Sequence, residues 1–144
     1  MKGILKVPLL VAAIVTLLRV VAEQMDVADK VTNWISVVAL YMLIFPIYFA
    51  VRIARSGVPK PYFTYLKVTV LYAVLCRLMI APTYWFAYLL NWKAGRFYGL
   101  AEGSAFSAFM NPLQLLAMWV AAATVLAGGM GFLMIALMRW RKAS

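Results

Sequence analysis

The chain has 144 residues, of which 67% are hydrophobic and 12% charged, with a formal net charge of +10, one cysteine and no histidine. A soluble globular chain carries roughly 25% charged residues, so this composition excludes an ordinary water-soluble domain. Without histidine the commonest general base and haem ligand are missing, and a lone cysteine cannot form an intrachain disulfide or a thiolate cage. No catalytic residue, metal site or cofactor is therefore expected. Nor is nucleic acid, because the cations cluster at segment ends and not on one exposed face.

Four apolar runs, about residues 4–24, 34–54, 63–91 and 113–138, organise the chain. Each is close to the ~20 residues that cross a ~30 Å hydrocarbon core. The fold class predicted is all-α, with a single domain over 1–144. It is an integral membrane bundle of four transmembrane helices, up-down-up-down. Alternating apolar and polar residues, the mark of an outer-membrane barrel, are absent.

The first run imitates a secretory signal, with Lys2 and Lys6 ahead of an apolar stretch and Val20-Val21-Ala22 behind it. Arg19 just before that site is atypical of cleavage, so an uncleaved helix is expected. Arg19 and Glu23 stand four apart at its outer end and form a candidate ion pair.

Thr32-Asn33 precedes the second run as a candidate N-cap, with Trp34 at the level of an aromatic belt. Tyr41 and Tyr48, seven apart, are expected on one face of that helix. The stiff segment Gly57-Val58-Pro59-Lys60-Pro61 then forces the second and third helices into an antiparallel pair.

The third run holds the residue of greatest interest. Arg77 falls near the bilayer midplane, where an arginine costs about 2.5–3.5 kcal/mol on insertion scales. It must face other helices, water or an anion. Tyr84 and Tyr88 follow at i+7 and i+11 on nearly the same face, and Pro82 frees the carbonyl of Leu78 as an acceptor. Arg77, Tyr84, Tyr88, Tyr41 and Tyr48 make up the candidate intramembrane polar site. Cys76 beside it is expected to be a buried, inert thiol.

Residues 92–112 form the longest segment outside the runs and read as an outer interfacial loop. Phe106, Phe109 and Met110 are spaced for one side of a short surface helix. Asn111-Pro112 reads as the N-cap and first position of the fourth span. Within that span Ala123, Ala127 and Gly131 recur every four residues, and Ala117, Ala121 and Gly129 fall on a neighbouring strip interrupted by Val125. Small residues at this spacing let helices approach closely in lipid. Two adjacent strips suit a helix with two neighbours. Gly128-Gly129-Met130-Gly131 also reads as a place for a bend.

Orientation follows from the basic residues. Lys2, Lys6, Arg52, Arg55, Lys60, Lys67, Arg139, Arg141 and Lys142 share one side, whereas Lys30, Lys93 and Arg96 share the other with all four acids, Glu23, Asp26, Asp29 and Glu102. Both termini are thus expected in the cytoplasm and, for a bacterial protein, in the cytoplasmic (inner) membrane. No nucleotide or nucleophile motif is present, and no carboxylate lies deep in a span. The expectation is a non-catalytic accessory or assembly subunit, a homo-oligomer or the partner of another membrane subunit. The alternative is a small anion or lipid carrier or channel with Arg77 as its central charge.

Overall fold

The computed structural model describes residues 3–25, 37, 40–92 and 104–143. Most of these residues are helical, with no strand among them. α1 spans Lys6–Gln24, α2 Phe45–Arg55, α3 Pro61–Leu89 and α4 Ala105–Ala143, with a π-helical turn over Leu40–Ile44 leading into α2. Among the described residues three helices are long and apolar enough to cross a membrane, Lys6–Gln24, Pro61–Leu89 and Ala105–Arg141. For the second run, residues 40–55 are helical, whereas 34–36, 38 and 39, the Thr32-Asn33 cap and the acids Asp26, Asp29 and Glu102 lie outside the described residues.

Local chemistry sets the helix ends. Gly57 turns the chain after α2 at φ +69°, a conformation that a side chain would strain. Pro61 opens α3, where its missing N–H costs nothing. The fourth span departs from the sequence reading: its helix begins at Ala105, not at Pro112. Ser104 is the reason, since its hydroxyl accepts a hydrogen bond from the Ser107 amide at 3.2 Å and its carbonyl one from Ala108 at 3.0 Å. A side-chain cap at that spacing starts a helix. Pro112 is then carried inside, at the cost of the one hydrogen bond it cannot donate. Phe106, Phe109 and Met110 accordingly belong to α4 itself and not to a separate surface helix within the 92–112 loop.

α3 and α4 are antiparallel along nearly their whole length. Tyr62 and Tyr65 meet Phe132 edge-on at 5.4 and 5.9 Å, Arg77 meets Trp119, and Trp85 stacks on Phe109 at 5.3 Å. As numbers rise on α3 they fall on α4. α2 and α3 form the expected antiparallel hairpin, with Phe45 and Phe49 each 5.4 Å from the Tyr72 ring and Tyr41 against Arg77. α1 joins through a narrow strip, Pro8, Ala12 and Thr16, the buried residues of an otherwise outward-facing helix. Tyr72 reaches across to donate to the Pro8 carbonyl at 3.3 Å.

Most of the large apolar side chains of α1, including Leu10, Ile14, Leu17 and Val21, are exposed, as are Leu71, Leu78, Leu133 and Leu137. Such a surface suits hydrocarbon. In that solvent the helices hold together by close packing and interhelical hydrogen bonds more than by hydrophobic burial.

Candidate functional site: a caged arginine and two small-residue strips

Arg77 lies about 24 Å along α3 from Pro61 and about 18 Å from Leu89 at 1.5 Å per residue. Only 6% of it is exposed. Its Nη2 donates to the Tyr41 hydroxyl, and its guanidinium carbon stands 5.3 Å from the Tyr41 ring centroid and 5.1 Å from that of Trp119. The charge thus rests between two aromatic faces, each attracting it through the ring quadrupole by about 0.5–2 kcal/mol. Among the described residues no carboxylate pairs with it, and its Nε has no hydrogen-bond partner.

The π-helical turn brings Tyr41 there. An extra residue in one turn rotates everything that precedes it, and Pro46, with no N–H to give, marks the place where the regular ladder is interrupted. Tyr41 and Tyr48 therefore do not share the face that a uniform helix would give them. Tyr41 is buried against Arg77, whereas Tyr48 is half-buried among Phe45 and Phe49 with the Arg52 guanidinium 5.9 Å from its ring.

On α3, Tyr84 is buried about 10 Å further along the axis from Arg77. Tyr88 is exposed. The guanidinium turns to Tyr41 of the π-helical turn and the Trp119 ring of α4, while Leu78, whose carbonyl Pro82 frees, faces outward. Cys76 is fully buried. Trp119, which the sequence reading missed, completes the cage. Little in the sequence signalled it: Trp119 stands about 9 Å into the 113–138 run, close to the level where an interfacial tryptophan is ordinary, until the helix is seen to begin at Ala105.

The two strips of α4 have opposite environments. Ala123 and Ala127 are 0% exposed and Gly131 is buried. The Tyr65 hydroxyl donates to the Ala127 carbonyl at 2.5 Å, and a Cβ on Gly131 would overlap the Tyr65 ring. Gly131 thus serves a close approach, and the helix runs unbroken through 128–131. In contrast Ala117, Ala121 and Gly129 are exposed, with Val125 between them 74% exposed. A Cβ on Gly129 would meet nothing.

Arg19 and Glu23 pair on α1 at 2.9 Å. Beside the outer strip, a shallow groove of about 250 Å³ is lined by Asn111, Gln114, Leu115 and Met118. No group of metal-ligating side chains occurs among the described residues. Comparison with protein-family models, with curated proteins and with solved structures finds no match to this chain.

Proposed function

We propose that this protein is a non-catalytic multi-pass membrane protein, an accessory or assembly subunit that associates through α4 with a copy of itself or with another membrane subunit. One observation carries the reading: beside the strip of α4 that packs against α3, a second small-residue strip of Ala117, Ala121 and Gly129 is left uncovered. The interior supports it as well. Tyr41, Phe45, Phe49, Tyr65 and Tyr72 belong to one buried cluster among the helices, which leaves little for a water-filled path. In this reading the segment around residues 34–54 completes four spans, up-down-up-down, with both termini on the cytoplasmic side of the membrane, which for a bacterial protein is the inner membrane.

The test is oxidative cross-linking in native membranes of Ala121→Cys, with Cys76 replaced by serine to leave one thiol. A disulfide-linked dimer, or a mixed product with one other membrane protein, is expected. A chain that stays monomeric at Ala121, Val125 and Gly129 alike overturns the proposal.

A second reading, an anion or lipid carrier, draws on the Arg77 Nε that lacks a hydrogen-bond partner. Reconstituted vesicles test it directly. Halide or phosphate flux that disappears in Arg77→Met would favour the carrier, and no flux above that of empty vesicles would remove it.

A further inference from the structure

The end of the bundle that carries the α2–α3 connection gathers cations from every element that reaches it. Arg52 and Arg55 occupy the last turn of α2, Lys60 the connection, Lys67 the second turn of α3, and Arg139 and Arg141 the last turns of α4. All six are exposed. The antiparallel register of α3 and α4, with Tyr62 beside Phe132, brings the end of α4 past the start of α3. By the same hairpin register, Arg52 and Lys67 lie at one level, roughly 10 Å below the tip. Among the described residues Glu23, paired with Arg19 on α1, is the only acid.

On each helix the surface that runs inward from that helix's own cations is apolar. On α2, Ile47 and Val51 lead to Arg55; on α3, Leu71 leads to Lys67 and then Phe63; on α4, Leu133 and Leu137 lead to Arg141. Each series has the four-residue spacing of one helix face. Phe63 of α3 stands between Lys60 and Lys67, and Trp140 of α4, 73% exposed, stands between Arg139 and Arg141, beyond the start of α3. A soluble polyanion would match the cations and leave the apolar ridges bare. A molecule that fits the whole surface has an anionic head above and hydrocarbon below.

We infer that this end of the bundle is a docking surface for anionic phospholipids, with the headgroup phosphates among Arg52, Arg55, Lys60, Lys67 and Arg139 and the acyl chains along the three ridges. Membrane placement is the only premise; self-association is not one. Long basic side chains at span ends reach the headgroup layer while their stems cover hydrocarbon, and each cation near an anionic surface contributes about a five-fold preference.

The experiment incorporates the full chain into nanodiscs of equal parts phosphatidylcholine and phosphatidylglycerol and counts, by native mass spectrometry, the lipids that stay bound after the disc is stripped. Wild type is expected to retain phosphatidylglycerol in preference. The triple variant Arg55→Gln, Lys67→Gln, Arg139→Gln should lose on the order of 100-fold of that preference if the sites act independently. The charge-preserving variant Arg55→Lys, Arg139→Lys should retain most of it, which separates loss of charge from loss of fold. Equal retention of both lipids by wild type, or an unchanged preference in the triple variant, overturns the inference. So does wild type binding heparin in detergent while showing no lipid preference, which would make the surface one for a soluble polyanion. Failure of wild type to enter the discs would overturn the membrane placement itself.

Discussion

Replacing Tyr41 by phenylalanine removes the hydroxyl that accepts from Arg77 and leaves the guanidinium between two rings without that bond. A hydrogen bond to a charged group contributes about 1.5–3 kcal/mol. Because Arg77 is 6% exposed, little water is at hand to replace it, so a loss of about 2 kcal/mol is expected. Arg77→Met behaves differently. It removes an insertion cost of about 2.5–3.5 kcal/mol, and the loss of the bond and the two ring contacts offsets that gain or somewhat exceeds it. Methionine is long and adaptable enough to occupy the space. The net change should stay within about 1–2 kcal/mol, in keeping with other buried charges replaced by apolar side chains. In the Met background Tyr41→Phe has no cation left to strand and should cost less than about 0.5 kcal/mol, giving a coupling energy near 2 kcal/mol. Reversible unfolding in mixed micelles, followed by helical circular dichroism across the four proteins of the cycle, measures it. An equal cost of Tyr41→Phe in both backgrounds would refute the cage.

Further expectations concern the α4 strips, its start and the buried thiol. Gly131→Ala should destabilise the fold by about 1–3 kcal/mol through overlap with the Tyr65 ring, and Tyr65→Leu should recover part of the loss. Gly129→Ala meets nothing in the chain and should stabilise the fold by about 0.5–1 kcal/mol through helix propensity, while a bulkier Gly129→Leu should weaken the assembly proposed above, read by cross-linking at Ala121. Ser104→Ala should cost about 1 kcal/mol, confined to the start of α4 and detected as faster hydrogen exchange at Ser107 and Ala108. Cys76, fully buried, should resist maleimide in the folded protein and react fully on denaturation.

Sequence alone determined the solvent and much of the helical content. Runs of apolar residues near bilayer length have few other stable forms, since each backbone polar group in hydrocarbon needs a partner within its own segment. The connection at 56–60 is so short that the antiparallel α2–α3 pair follows from chain geometry. Arg77 stood out for a related reason: a cation far from any interface must be accommodated, whatever surrounds it. Its partners were less legible. A face predicted at 100° per residue holds only where the helix is uniform, and the π-helical turn at Leu40–Ile44 separates Tyr41 from Tyr48. Trp119 is 42 positions away in the chain, and only the antiparallel register of α3 and α4 brings its ring to Arg77. The start of α4 was misplaced because Asn-Pro is a strong local signal, whereas a proline inside a helix is tolerated once Ser104 has capped the chain upstream. The small-residue strips were visible from spacing, but which of them is buried is a tertiary fact. Periodicity says that two faces of a helix permit close approach, and only the Tyr65 ring lying over Gly131 shows which face a neighbour has filled.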